Sequence, residues 1–211
     1  MSAGYRLWWN DNTGAFAVDA ALALAGAAVD RERVATREGG SRTPEFLALN
    51  PLGQVPFLRL PDGTTMTESA AMLLHVAESF PAAALAPRIG DPARPRFLRL
   101  LMILAAPVYE AELRESYPER YTADPAGADG VRRGAKALQD RLFGLLADEL
   151  GDRHWLAGGA APSVLDPELA MLAKWYGGDA GRERFLAHRA RLRSIPALDA
   201  LWRRYFPDAT S

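Results

Sequence analysis

The run from Asn50 to Ser69 constrains the fold more than any other stretch of the chain. Pro51 and Gly53 mark a turn. Val55, Phe57, Leu58 and Leu60 then form a short apolar run with the length and composition of a strand. Pro61-Asp62-Gly63 predicts a hairpin turn, because proline presets φ and glycine supplies a positive one. Thr64 to Thr67 reads as the return strand. Glu68 and Ser69 stand where a helix begins, ahead of Ala71, Met72, Leu73, Leu74, Val76 and Ala77. Pro56 is the odd member. A proline in a strand pattern removes a ladder donor, so it belongs at an edge or beside a special backbone geometry, often a cis bond. An edge there leaves the amide and carbonyl of Val55 free to pair with an extended ligand. A helix starting at Ser69 aims unpaired amides and a positive dipole end into the same space, and Glu68 adds a carboxylate. Such a pocket suits a small peptide carrying both an ammonium and a carboxylate. A plain hairpin followed by a capped helix satisfies the same residues.

The rest of the chain sorts into two parts. Tyr5–Trp9 reads as a first strand, Asn10-Asp11-Asn12-Thr13-Gly14 as a loop of turn formers, and Ala15–Ala25 as a helix with Gly26 beyond its end. Val29–Val34 reads as a second strand, completing a parallel βαβ crossover. A loop over 37–43 and a short helix over 44–49 lead into the hairpin. The order is βαβαββα, ending near Phe80. Residues 81–95, rich in Pro, Ala and Gly, read as a linker. Beyond it the long segments read as helical. One covers 96–114 and is kinked at Pro107; another covers 131–150 and stops at Gly151. A third is announced by a capping pair, Ser163 and Asp166, and a last helix runs over 196–206. The expected division is 1–81 and 95–211, an α/β domain followed by an all-α one.

With 25 basic and 26 acidic residues, a net charge of -1 favours no polyanion, so no nucleic-acid partner is expected. The chain has no cysteine, which excludes disulfides, zinc–thiolate sites and protein thiol chemistry. No segment reads as a membrane span and the opening Met1–Arg6 holds no apolar signal core, so the expected location is the cytoplasm. His75, His154 and His188 have no partners at metal or triad spacing, and no metal is expected.

Asn50-Pro51-x-Gly53-Gln54-Val55-Pro56, followed by Asp62-Gly63 and Thr67-Glu68-Ser69, resembles the glutathione-binding signature of the cytosolic glutathione transferase family. The resemblance implies a thioredoxin-like N-terminal domain and an all-helical C-terminal one. It implies glutathione as co-substrate, a small electrophile as the second substrate, a detoxifying conjugation and a homodimer. Carried over residue by residue, it implies that the Val55 backbone pairs with the cysteinyl part of glutathione across a cis bond to Pro56. Glu68 and Ser69 would hold the γ-glutamyl end, and Gln54, with Arg42, the glycine end. The implied electrophile pocket lies between the domains, with Tyr109, Arg114 and Tyr117 as candidate lining.

This chain departs from the family where the thiol is activated. The tyrosine position holds Trp9, the serine position Thr13 and the cysteine position Gly14. Thr13 keeps a hydroxyl just ahead of the first helix and is the first candidate donor, although capping that helix would use it equally well. The side-chain amides of Asn10 and Asn12 are the other candidates, against ordinary turn chemistry. Loss of the usual donor leaves an alternative reading open: a non-catalytic protein of the same fold that binds glutathione or a hydrophobic ligand.

Overall fold

The computed structural model describes residues 4–207. The first three and last four residues, which the sequence-derived division and the opening Met1–Arg6 include, lie outside them. The chain packs as two compact units, Met1–Ala86 with Arg193–Ser211, and Pro87–Leu192.

The first unit is built on four strands, β1 (Tyr5–Trp9), β2 (Val29–Arg33), β3 (Phe57–Arg59) and β4 (Thr65–Met66), in the order β2-β1-β3-β4. β1 runs parallel to β2 and antiparallel to β3, which pairs antiparallel with β4. Its helices are α1 (Ala15–Leu24), α2 (Pro44–Leu49), α3 (Ser69–Ser79) and, from the far end of the chain, α9 (Pro196–Tyr205). This mixed sheet with its helices is a thioredoxin-like fold. Strand alternation sends Leu7 and Leu58 to one face, and Trp8 and Phe57 to the other with Val34 and Phe46 of α2. Thr43 caps α2, accepting a hydrogen bond from the Phe46 amide at 3.3 Å, and Pro44 occupies the first turn, where its missing donor costs nothing. α1 is apolar nearly all round and buried all round, packed on β1, α3 and α9.

Two expectations about the hairpin change. β3 begins at Phe57, not Val55, and it is an inner strand; Val55 and Pro56 precede it as loop, because Pro56 offers no amide to a ladder. β4 is only two residues long. The turn between them forms as expected: Gly63 takes φ +89° and its amide donates to the Leu60 carbonyl, while the Thr64 amide donates to Asp62 at 2.8 Å and holds that carboxyl below the usual range.

The second unit contains α4 (Arg94–Ile103), α5 (Tyr109–Ser116), α6 (Ala128–Leu150), α7 (Leu165–Trp175) and α8 (Arg182–Arg193). Between α4 and α5 a π-helical turn spans Leu104–Val108. It surrounds Pro107, so the missing donor is absorbed by a wider turn. Asp166 organises the start of α7. Its carboxylate accepts from the Ser163 amide (2.7 Å), the Ser163 hydroxyl (2.9 Å) and the Leu156 amide (2.7 Å). His188 Nε2 lies 2.9 Å from the same carboxylate, so this histidine has a buried partner that spacing did not reveal. The serine hydroxyl serves the aspartate rather than the histidine, which makes the group a brace and not a nucleophile.

The sequence-derived division assigned 196–206 to the helical domain, whereas by packing α9 groups with the first unit. The reason is a face of Leu198, Leu201, Trp202 and Tyr205 that buries against α1, where Phe16 meets Trp202 and Tyr205 edge-on at 5.3 and 5.7 Å.

Candidate functional site

Strand register brings three separate pieces of sequence to one end of the sheet. Trp8 stands opposite Phe57 and Leu58 opposite Met66, so the chain beyond β1 (Asn10–Gly14), the chain before β3 (Gln54–Pro56) and the chain after β4 (Thr67–Ser69) emerge side by side.

The middle piece is braced from within. Asn50, 1% exposed, donates through Nδ2 to the Gln54 carbonyl (2.8 Å) and accepts the Leu52 amide at Oδ1 (3.1 Å); its own carbonyl accepts the Gly53 amide (2.9 Å). Gly53 takes φ +61°, and a Cβ there would stand 2.7 Å from Arg42 Nη1 and 2.8 Å from the Ser41 carbonyl oxygen. Arg42 is exposed and donates to the Leu52 carbonyl at 3.3 Å, so its guanidinium lies over this turn, beside the exposed Gln54. The Val55–Pro56 bond is cis. The Val55 side chain packs against Trp8, Val34, Phe46 and Phe57, while no described residue hydrogen-bonds its backbone amide or carbonyl.

The third piece ends in a strained residue. Glu68 is exposed at φ +65°, ψ 106°, and makes no side-chain cap to α3. Ser69 is the first residue of α3 and half-buried. A non-glycine residue at positive φ costs roughly 1–3 kcal/mol and persists where its surroundings dictate it. Here it turns the chain directly from β4 into the first turn of α3.

The first piece carries the donors expected from the sequence, and the structure engages the side chains of Thr13 and Asn10. The Thr13 hydroxyl donates to the Asn10 carbonyl at 2.7 Å. It does not cap α1: Gly14 holds the cap position without a side-chain bond, and the Phe16 amide reaches the Thr13 carbonyl at 3.2 Å. Asn10, 5% exposed, donates to the Thr36 hydroxyl (2.8 Å), and its Oδ1 is buried without a partner among the described residues. Asn12 is exposed at φ +53°, its amide bonded to the Tyr205 carbonyl at 2.8 Å. The Trp9 ring packs on Tyr205 at 4.7 Å.

One functional candidate escaped sequence reasoning. Asp19, 0% exposed, is held by Arg31 through Nε (2.8 and 3.0 Å) and Nη2 (2.7 Å), and accepts the Tyr205 hydroxyl at 3.1 Å. Burial, and then the neighbouring carboxylate, push the Tyr205 phenol up and the tyrosine stays a neutral donor. A lone acid inside an alanine–leucine helix was the available signal. Of the residues named for the electrophile pocket, Tyr109 meets Trp175 edge-on at 5.8 Å, Arg114 pairs with Glu110 and lies over Tyr121, and the exposed Tyr117 sits under Arg120.

Residues 15–79 match the family model for the glutathione S-transferase N-terminal domain. The GST-like protein YncG of Escherichia coli K12, itself uncharacterised, is 47% identical over 142 residues, 67% of this chain and 66% of that one. The chain belongs to the glutathione S-transferase family. A sphingomonad glutathione S-transferase complexed with glutathione is 29% identical, with a TM-score of 0.79 over 95% of this chain and 98% of that one. A glutathione transferase homologue from Sulfitobacter, with bound glutathione, shares the fold at 23% identity and a TM-score of 0.86, over 96% and 98% of the two chains. The matched region of YncG is about two thirds of its length, while the transferase folds superpose almost end to end. Among the described residues, no group of three or more His, Asp or Glu could hold a metal, and no helix is long and apolar enough to cross a membrane.

Proposed function

We propose that this protein is a glutathione transferase that binds glutathione at the end of its sheet and presents the thiolate to a small hydrophobic electrophile. The observation that carries the reading is the juxtaposition, at that end, of an unpaired Val55 backbone, the start of α3 and the β1–α1 loop. Glutathione is flexible and doubly charged. Its cysteinyl amide and carbonyl are complementary to those of Val55. Its γ-glutamyl carboxylate suits the first turn of α3 and Ser69, and its ammonium suits the Glu68 carboxylate. Gln54 and Arg42 flank the side that would receive the glycine carboxylate. The relatives crystallised with glutathione support this assignment.

Activation is a question of a few kcal/mol. A thiol of pKa about 8.5 is mostly protonated at pH 7, and lowering it two units needs about 2.7 kcal/mol of preference for the anion. One hydrogen bond to a charged acceptor supplies roughly 1.5–3 kcal/mol, and the start of α1 adds about 0.3–1. Thr13 is the proposed donor, with Asn10 and Asn12 as the alternatives. To act, the Thr13 hydroxyl exchanges its bond to the Asn10 carbonyl for one to the sulfur. The thiolate then attacks the electrophile, forming the C–S bond, and in conjugation the leaving group or a proton from solvent balances the charge. A homodimer and a cytoplasmic, detoxifying role belong to the same proposal and rest on the family.

The engaged Thr13 hydroxyl favours a second reading, a glutathione binder that does not activate the thiol. Titrating glutathione by calorimetry, then following thiolate absorbance of the complex against pH, separates the two. Binding with the thiol pKa lowered below 7.5 is the result expected. Binding with the pKa left near 8.5 supports the second reading, and no binding refutes both.

A further inference from the structure

We infer that Tyr205 is a positioning residue: the Arg31–Asp19–Tyr205 chain, buried at Asp19 and Tyr205, locks the end of α9 in register and, through the Tyr205 carbonyl, holds the Asn10–Thr13 loop in shape. The loop lies beside the proposed thiol site, yet it contains two turn-forming asparagines, one of them at positive φ, and its Thr13 hydroxyl donates inward to the Asn10 carbonyl. Its backbone is tied from outside at Asn12, whose amide donates to the Tyr205 carbonyl at 2.8 Å. Tyr205 also brackets the loop, packing on Trp9 before it (4.7 Å) and on Phe16 after it (5.7 Å).

Apolar packing alone leaves a helix free to slide or rotate by small amounts, and the Tyr205 carbonyl would move with it. The hydroxyl removes that freedom. It donates to Asp19 at 3.1 Å, and Asp19 is in turn gripped by three hydrogen bonds from Arg31 on β2. A fully buried carboxylate could be exchanged for an apolar side chain without loss of stability, so its use here fits a register device better than a stability device. The chain therefore links α9 to α1, which follows the loop, and to β2, the parallel neighbour of the β1 strand that precedes it. The catalytic part of the inference rests on the thiol-activation reading; the structural part does not.

The test uses the full-length protein and Tyr205→Phe, which keeps the ring and removes only the hydroxyl. Hydrogen exchange followed by mass spectrometry should show faster exchange in peptides covering 10–14, with β3 peptides unchanged. The pKa of bound glutathione should rise by about one unit and kcat should fall about tenfold at pH 7, with KM for glutathione within about twofold, as misplacement of a reacting group predicts. Asp19→Asn, which keeps the shape of the buried side chain, should shift exchange and pKa in the same direction. A Tyr205→Phe protein that melts earlier but shows wild-type exchange at 10–14 overturns the inference. So does faster exchange with an unchanged thiol pKa, where the wild type lowers it. If the wild type does not lower the thiol pKa, the activation reading fails by itself, and exchange at 10–14 still decides whether the clamp exists.

Discussion

Replacing Gly53 by alanine probes how tightly the loop carrying Val55 is built. Gly53 adopts φ +61°, where an L-residue costs about 1–2 kcal/mol. Its Cβ would also stand 2.8 Å from the Ser41 carbonyl oxygen and 2.7 Å from Arg42 Nη1. The guanidinium can swing away at the cost of its bond to the Leu52 carbonyl, but the Ser41 carbonyl is backbone and must be pushed; overpacking of this kind costs about 1–3 kcal/mol. Together these predict a loss of roughly 2–5 kcal/mol, and at about 2–4 °C per kcal/mol for a chain of this size a clear fall in Tm. Gly63 supplies the control. It sits at φ +89° with nothing within 4 Å of its Cβ, so Gly63→Ala carries the backbone cost alone. Thermal melts of both variants isolate the steric part as their difference. Calorimetry should then show glutathione bound about fivefold more weakly by Gly53→Ala, the equivalent of one lost hydrogen bond, and normally by Gly63→Ala. Equal Tm values for the two variants would refute the idea that close approach of Ser41 and Arg42 shapes this loop.

Glu168 offers a pH test in the second unit. Burial pushes its carboxyl up to about 8, and neither oxygen has a hydrogen-bond partner among the described residues. A carboxyl raised on folding stays protonated in the native state while the unfolded chain ionises. Its contribution is therefore full below the unfolded value of 4.5, and is lost as pH rises through about 8, by about 1.4 kcal/mol per pH unit. Glu168→Gln should flatten denaturant stability between pH 5 and 8; wild-type and variant curves that run parallel would contradict this. Glu68→Gly relieves a positive φ while removing the carboxylate, so Tm should hold or rise by the equivalent of about 1 kcal/mol as glutathione binding weakens. A lower Tm would mean that the side chain stabilises the native fold. Thr13→Ala should raise the pKa of bound glutathione by about one unit or more, the value of a charged hydrogen bond; unchanged turnover would move the assignment to Asn10 or Asn12.

The sequence carried the architecture because its signals are local. The βαβ crossover, the Pro61-Asp62-Gly63 turn, the Gly26 stop after α1 and the Ser163–Asp166 cap each depend on residues a few positions apart, and each formed where expected. The segment 182–193 was not anticipated as α8, because six of its twelve residues are charged and no apolar stripe stands out; only Phe185, His188 and Leu192 are buried. Pro107 signalled a kink but not its π-helical form.

The Asn50–Ser69 signature could be read from the chain because the groups it supplies, a cis peptide, an open backbone pair and a helix start, are made by neighbouring residues. What surrounds it could not. Whether the Thr13 proton is free or spent on the Asn10 carbonyl three positions away depends on how the loop folds, and turn-forming residues alone do not specify that. Whether Asp19 meets a cation and a phenol depends on contacts across 12 and 186 positions and on the burial that makes such contacts strong. Local chemistry thus determined the cradle, and long-range packing alone decided how the loop beside it is held.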